Sequence, residues 1–597
     1  MKKAVKTKNL INLLIILIAA VLFLTDCSAN KKSSNHPKNV RTMVLITIDT
    51  WRREATGFLG KLNPSPTPFL DTIASRGFVA ADAMTPVPIT GPSHWSMLTG
   101  RWPWQDGLQV NGDKPVEDHG VTLAQILARG GWRTAGFVSC RVLDHRMGFS
   151  KGFRHFDDNI RMGGGLAWED MPERRGDITV SRVIKWLEKE IETQDRLFLW
   201  VHLFDPHFPY TPPGGPFKGV HGDYLGEVAF ADRQIRRLSE TLTKLGRSIN
   251  NSLWVVLSDH GEALGAHGED THGLLLHGVT TRIPLLIAGP GVPVRRYEKL
   301  AATIDVFSTI LDYIGVKAPE CDGLNLLNQV GNEDRAIPME AMMAARGFGI
   351  SGVSGIRSRN WLWEASPEDY LWDLEKNPLE TENLAEKLPG KVKSLRELRK
   401  SFGSTTAHRR AKTGAGLMKD LQSLGYITGN MQPGKESVRD FLKIGGEWHK
   451  QAVFMQKNGK YTEADKIFRR FLKRYRNSAN IWQKAGMVSV QLQDFTEAEK
   501  RFRRSIELDP QSAAAHLDLA NVLYFKKRYG EAEQEYKKVL EADPEDMFAL
   551  YNLGLLFAKK GRYKEAAVFW EKYLEFYPSH KNAQAIRKKL QDSRFSQ

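Results

Sequence analysis

Cysteine is scarce in this sequence. Only Cys27, Cys140 and Cys321 occur in 597 residues, too few for a disulfide framework, so a small cross-linked scaffold is excluded. Long apolar runs are also missing beyond residue 24, and a membrane helix needs about 20 such residues, which excludes a multi-span membrane protein. No stretch interleaves basic and aromatic residues as base-stacking surfaces do. The formal charge of +16 is therefore assigned to solvated Lys- and Arg-rich helices near the end of the chain, and no nucleic-acid partner is expected. What is present, 41% hydrophobic and 26% charged residues, is the composition of a globular protein rather than a disordered one. At roughly 150 residues per domain the chain holds two to four domains.

The first residues follow a different pattern. Lys2, Lys3, Lys6 and Lys8 precede an apolar run from Leu13 to Leu24, the charged-then-apolar order of a bacterial export signal. An exported protein, periplasmic or at the cell surface, is the expectation. Leu10 and Ile11 would lengthen the run towards a span if Asn12 is tolerated, so a cleaved signal and an uncleaved membrane anchor both stay open. Leu24-Thr25-Asp26-Cys27 has the form of a lipoprotein cleavage box with Asp26 in place of a small residue, which adds lipid anchoring as a third reading. Residues 1–29 are assigned to this segment and 30–42 to a polar tether.

Three short apolar runs, Val44 to Ile48, Leu197 to Val201 and Leu253 to Leu257, read as strands buried on both faces of a parallel sheet. Helical patterns such as Ile178 to Ile191 lie between them, so the class is α/β. The end of the chain keeps another period. Pro510, Pro544 and Pro578 lie 34 residues apart, as do Ala464, Ala498, Ala532 and Ala566; the small residues Ala452, Gly486, Ala520 and Gly554 precede those alanines by twelve positions and the aromatics Tyr461, Phe495, Tyr529 and Tyr563 by three. This is the 34-residue signature of tetratricopeptide repeats, in which small residues let paired helices approach. The sequence thus divides into a catalytic domain over 43–428, a linker over 429–444, four repeats over 445–578, and a capping helix and tail over 579–597. Such arrays bind peptides in a groove, so a protein or peptide partner is expected.

The chemistry gathers where the buried runs end. Asp49 follows the first, Asp205 comes shortly after the second and Asp259 ends the third, and in open α/β sheets ligands bind beyond those carboxyl ends. Ser258-Asp259-His260-Gly261-Glu262 sets a carboxylate beside an imidazole, with His267 and His272 downstream as further nitrogen donors. Carboxylate and imidazole together favour zinc or manganese over calcium. In Thr90-Gly91-Pro92-Ser93-His94, running on to Gly100, Pro92 lies just inside a helix start and Gly100 at its end, which puts Thr90 at the positive end of a helix. A threonine there is either a cap or a nucleophile presented to an anion.

Taken together, Ile48-Asp49-Thr50, the block from Thr90 to Ser93 closing with Leu98-Thr99-Gly100-Arg101, Asp205-Pro206-His207-Phe208-Pro209-Tyr210, and Ser258 to Glu262 resemble, in order, the sulfatase-like members of the alkaline phosphatase superfamily. Trp372-Asp373-Leu374, Asn377-Pro378, Glu382-Asn383-Leu384 and Leu421 to Tyr426 resemble the closing part of that domain. The resemblance implies an alkaline phosphatase/sulfatase-like sandwich with a mostly parallel central sheet, followed by an all-α repeat solenoid. It implies that Asp49, Thr90, Asp259 and His260 hold one divalent ion, zinc or manganese with calcium open, and that Thr90 attacks an anionic ester. Asp205, His207 and His272 would contact substrate or frame a second ion, Asn111 resembles a residue that contacts a phosphoryl oxygen in the diesterase branch, and His94 stands where sulfatases carry an arginine.

Two departures narrow the chemistry. Threonine cannot yield the formylglycine that sulfatases make from cysteine or serine, and Thr50 replaces the second residue of their Asp-Asp pair. A phosphate ester hydrolase working through a phosphothreonine is the expected function. A phosphoethanolamine-type transferase, a sulfuric ester hydrolase, and a repeat scaffold with an inert hydrolase domain are the alternatives.

Overall fold

The computed structural model describes residues 40–592 except 61, 114, 116–119, 161–172, 213–218, 329–334, 404–435, 447–458 and 579–581. The expected export segment with Cys27, the expected tether up to residue 39, the Leu421 to Tyr426 motif, the first part of the expected linker and residues 447–458 of the first expected repeat lie outside the described residues. Among the described residues no helix is long and apolar enough to cross a membrane.

Among the described residues, twelve strands form two sheets. They are β1 (Thr42–Ile48), β2 (Phe78–Met84), β3 (Arg133–Phe137), β4 (His155–Asp157), β5 (Leu197–Leu203), β6 (Ser252–Ser258), β7 (Arg282–Ala288), β8 (Arg295–Ala302), β9 (Ile337–Ala341), β10 (Val353–Arg357), β11 (Trp361–Ala365) and β12 (Asp369–Asp373). The large sheet has the order β4-β3-β5-β1-β6-β7-β2-β8, and the smaller one β12-β11-β10-β9. β1 is central and pairs in parallel with β5 and β6. Only β7 opposes the common direction of the large sheet, because β6 and β2 both meet it antiparallel. The central strands are apolar throughout because both faces are covered. Met43 and Leu45 belong to one hydrophobic cluster, while Val44, Ile46 and Ile48, pointing the other way, belong to a second. The carboxyl ends of β1, β5 and β6 therefore emerge side by side, and the three acidic residues of the sequence leave the sheet from that edge.

Three helices of this domain bear on the site: α1 (Thr90–Thr99), α2 (Gly176–Glu190) and α3 (Gly219–Lys244). α1 is buried along its whole length and ends at Gly100, whose φ of 70° is the left-handed C-cap that glycine adopts freely.

The repeat region comprises α4 (Tyr461–Arg474), α5 (Ala479–Gln491), α6 (Phe495–Leu508), α7 (Ala513–Phe525), α8 (Tyr529–Ala542), α9 (Met547–Lys559), α10 (Tyr563–Phe576) and α11 (Ala583–Leu590). Ala464, Ala498, Ala532 and Ala566 are fully buried. A Cβ on Gly486 would lie 2.5 Å from the Phe502 ring, and one on Gly554 would lie 2.2 Å from Trp570 Nε1. Close helix approach is thus the physical content of the small residues in the repeat. Gly554→Ala is expected to destabilise by about 1–3 kcal/mol, the usual cost of overpacking, against a helix-propensity gain of about 1 kcal/mol. Thermal unfolding checks this, and an unchanged Tm would show that the Trp570 ring moves aside freely.

The repeats are continuous with the catalytic domain. Phe348, Phe441 and Phe471 share the same hydrophobic cluster as β1, with ring centroids 4.3 Å apart for Phe348–Phe441 and 6.4 Å for Phe348–Phe471. Ser478 Oγ donates to Gly347 O at 3.0 Å, and Arg146 meets Asp543 at 3.6 Å. Arg439, from the short helix Val438–Phe441, covers the Tyr370 ring at 4.2 Å and donates to His277 Nε2 at 2.9 Å.

Candidate active site

Asp49 continues β1 by one residue, its N–H donating to Leu203 O of β5. Thr50 then turns the chain with φ 51°, and its N–H donates to Asp259 Oδ1 at 3.3 Å. Asp259 Oδ1 also accepts from His260 N at 2.8 Å. One oxygen of Asp259 is thereby fixed by two backbone donors, while Asp259 Oδ2 and Asp49 Oδ1 are buried with no hydrogen-bond partner. His260 Nδ1 faces Gly261 O at 3.1 Å, which assigns the proton to Nδ1 and leaves the Nε2 lone pair bare. That lone pair lies 3.6 Å from Asp49 Oδ1 and 3.4 Å from Asp259 Oδ2. Thr90 Oγ1 completes the group, 3.3 Å from His260 Nε2 and 3.4 Å from Asp49 Oδ2.

Four lone-pair donors turned towards one another repel unless a cation or protons lie between them. An ion about 2.1 Å from each of four tetrahedral ligands would separate them by roughly 3.4 Å, and His260 Nε2 lies 3.3–3.6 Å from the other three groups. Without an ion, burial raises the Asp49 carboxyl well above the usual range, helped by Asp259 and Glu262, and burial pushes Asp259 up to about 8. Burial holds His260 well below its ordinary value, with His272 contributing. The arrangement fits a divalent cation on the chemistry of its donors, and the spacing of Asp49, Asp259 and His260 as a metal-ligating group agrees.

Thr90 is the first residue of α1, not its cap. The N-cap is Ile89, extended and without a side-chain cap bond, so the hydroxyl is turned to the acidic group rather than used to start the helix. The Gly91 N–H donates to Asn111 Oδ1 at 2.7 Å, and Asn111 Nδ2 is buried without a partner, which puts Asn111 beside the helix start.

The remaining expected residues separate into two sets. His272 lies against His260, ring centroids 4.2 Å apart, with its Nδ1 3.1 Å from Glu262 Oε1. His207 stacks on Phe204 and meets the His272 ring edge-on at 5.3 Å; burial, then His272, lowers it to about 3. These two imidazoles border the centre. Asp205 does not join them: its Oδ2 accepts from Gly176 N at 2.7 Å at the start of α2, and its carboxylate is hydrogen-bonded with Glu227. A second ion framed by Asp205, His207 and His272 is therefore not assembled here, because α2 claims the carboxylate. His94 is likewise occupied. Its Nδ1–H donates to Thr90 O at 2.8 Å, and its Nε2 accepts from the Thr47 hydroxyl at 3.0 Å, which in turn accepts from Trp200 Nε1 at 3.1 Å. Burial lowers it to about 4. His94 is a neutral brace between β1 and α1, with neither nitrogen open to a ligand. His267 is also elsewhere, stacked on His277 at 3.5 Å.

Sequence reasoning passed over His202. It lies one position beyond the apolar run of β5, in register with Thr47 of β1, and its Nε2 comes within 3.5 Å of Asp49 Oδ2. The available signal was a lone imidazole on a strand otherwise apolar on both faces.

A parallel sheet that delivers buried carboxylates and an imidazole to a hydroxyl at a helix start is an arrangement suited to an ester hydrolase. Comparison with known proteins refines this. Residues 41–316 match the sulfatase family model. Residues 467–584 match the cytochrome c-type biogenesis protein H TPR domain, and residues 448–478 a tetratricopeptide repeat. The chain is 23% identical over 395 residues to the ulvan-active sulfatase of Formosa agariphila, covering 57% of this chain and 76% of that protein. It is 23% identical over 459 residues to the arylsulfatase of Clostridium perfringens, covering 60% and 93%. In fold it resembles a sulfatase-type protein of Bacteroides thetaiotaomicron, with a TM-score of 0.51 at 16% identity over 67% of this chain and 99% of that one. The chain carries a sulfatase-family ester hydrolase domain followed by tetratricopeptide repeats.

Proposed function

We propose that this protein hydrolyses phosphate esters, diesters or monoesters, with Thr90 as the nucleophile and a zinc or manganese ion held by Asp49, Asp259, His260 and the Thr90 oxygen. The single observation that supports this best is the turn of the Thr90 hydroxyl away from helix capping and into the group of unpartnered carboxylate oxygens. The ion, when bound, lowers the pKa of a coordinated hydroxyl and polarises the ester oxygen. The chain's own residues do the rest. The start of α1 turns its positive dipole end to the anion, Asn111 Nδ2, buried without a partner beside Gly91, is left to donate to it, and His207 and His272 border the centre. Attack by Thr90 Oγ forms a phosphothreonine and expels the alcohol, and water then cleaves that ester and restores the hydroxyl.

The names of the relatives favour a second reading, a sulfate ester substrate. Against it stand Thr90, which has no route to a formylglycine aldehyde, and His94, whose nitrogens are both engaged. A panel of aryl phosphate monoester, diester, phosphonate and sulfate substrates, assayed with zinc, manganese and calcium, decides between them. Phosphate or phosphonate turnover with phosphorylated Thr90 trapped by acid quench and mass spectrometry is the expected result. Sulfate release alone, without modification of Thr90, would overturn the proposal. The reading further takes the protein as exported, on the strength of the Lys2 to Leu24 pattern, and takes the repeats as the site of a peptide or protein partner.

A further inference from the structure

We infer that His202 is a positioning residue that holds Asp49 for cation binding by donating from Nε2 to Asp49 Oδ2. The inference rests on the proposed cation site and extends it to a residue outside the ligand set.

The backbone fixes which nitrogen carries the proton. Ser139 N, just past the end of β3, donates to His202 Nδ1 at 3.3 Å, and an imidazole nitrogen that accepts has no hydrogen of its own. In the neutral ring the proton is therefore on Nε2. Ser139 is itself held, its Oγ donating to His202 O at 2.6 Å and lying 2.7 Å from Thr179 Oγ1. The His94 ring packs edge-on against His202 with centroids 5.0 Å apart. The Nε2–H is fully buried and lacks a close hydrogen-bond partner, and Asp49 Oδ2 lies 3.5 Å from it. A buried donor and a buried carboxylate oxygen so placed need only a small approach to satisfy each other.

The consequence lies in how Asp49 uses its two oxygens. Oδ2 has Thr90 Oγ1 at 3.4 Å and His202 Nε2 at 3.5 Å, while Oδ1 is unpartnered and faces His260. A permanent neutral donor on Oδ2 fixes the carboxylate plane with Oδ1 turned to the cation. It also supplies the hydrogen bond that Thr90 withdraws when its hydroxyl becomes a nucleophile.

One other reading uses the same atoms. Asp49, Cys140 and His202 lie close enough to hold an ion of their own, bridged to the first through Asp49. The Ser139 donor excludes it, since a protonated Nε2 offers no lone pair to a metal.

The test measures cation affinity on full-length metal-free protein by competition with a chromogenic chelator, using zinc and manganese, alongside the Tm of the metal-free form. His202→Leu is expected to bind 10–100-fold more weakly, the usual cost of losing a residue that orients a metal ligand. His202→Gln, whose side-chain amide can donate from nearly the same place, is expected to recover most of that affinity. Metal-free Tm should not separate the two variants in the way affinity does. Equal affinity in wild type, His202→Leu and His202→Gln would overturn the inference and leave the proposed cation site standing. Two bound ions per chain, one of them lost in Cys140→Ala, would replace it with the bridged site. A wild-type protein that binds neither zinc nor manganese would sink the proposed cation site and this inference together. If His202→Leu fails to fold, His202→Phe, which keeps a ring and removes the donor, takes its place: a 10-fold or greater loss of affinity supports the inference and affinity equal to wild type overturns it.

Discussion

Thr90→Ala is expected to lower turnover by on the order of 10⁴-fold or more, the scale seen when a covalent nucleophile is deleted, while leaving the fold and cation content nearly unchanged. The asymmetry follows from where the hydroxyl is used. It makes no N-cap bond for α1, so its loss costs the helix no start signal. Its neighbours Asp49, Asp259 and His260 still present three ligand atoms within 4.8 Å of one another. Thr90→Ser keeps an oxygen on the same Cβ and is expected to stay within about tenfold of wild type, since only a methyl group is lost and the attacking atom is retained. Steady-state kinetics on the best substrate of the panel, with circular dichroism and metal analysis on each variant, provides the check. Alanine activity within tenfold of wild type would mean that the attacking group is another residue or a water, and the phosphothreonine would have to be abandoned.

The part of this site that could be read from sequence is the part set by strand ends. Apolar runs such as Val44 to Ile48 announce strands covered on both faces, and an acidic residue after such a run has to emerge at the sheet edge. Asp49, Asp259 and His260 were legible for that reason, and Thr90 was legible because Pro92 and Gly100 frame its helix. The repeats were legible because contact between paired helices imposes a fixed period, as Gly486 under Phe502 and Gly554 under Trp570 make plain. Side-chain direction in loops was not legible. Asp205 follows β5 as closely as the motif suggests, yet its carboxylate is drawn to the Gly176 N–H at the start of α2, a partner 29 residues earlier in the chain that no local pattern reveals. His94 has two ligand nitrogens by type, and only the structure shows both spent, Nδ1 on Thr90 O and Nε2 on the Thr47 hydroxyl that Trp200 supports. His202 was missed because its importance depends on the pairing of β5 with β1, a non-local register.

Asp259→Asn is expected to abolish tight cation binding and lower turnover roughly 10³-fold or more, the several kcal/mol that a metal supplies, while making the metal-free protein more stable at alkaline pH. Burial raises both Asp49 and Asp259, the latter to about 8. A carboxyl whose folded pKa lies above its unfolded value contributes stability that is full below the unfolded value and is lost as pH rises through the folded one. Chelator-treated wild type should therefore lose Tm between about pH 4 and 9, from the ordinary carboxyl value of the unfolded chain through the raised folded one, as folding comes to leave a pair of carboxylates ionised with no cation between them. An amide at position 259 mimics the protonated acid at every pH. Its oxygen can accept from Thr50 N and His260 N as Asp259 Oδ1 does, which puts the NH₂ where Oδ2 now lies, 3.4 Å from the bare His260 Nε2. A donor there meets the lone pair that otherwise needs a metal or the Thr90 proton. The variant thus exchanges a cation site for a closed hydrogen bond, the stability gained where function is given up. Thermal scans of metal-free wild type and Asp259→Asn across this pH range should diverge, with the variant the flatter and, at pH 9, the higher. Parallel curves would mean that Asp259 is ionised and satisfied without a cation, which would remove the electrostatic reason for a metal at this site.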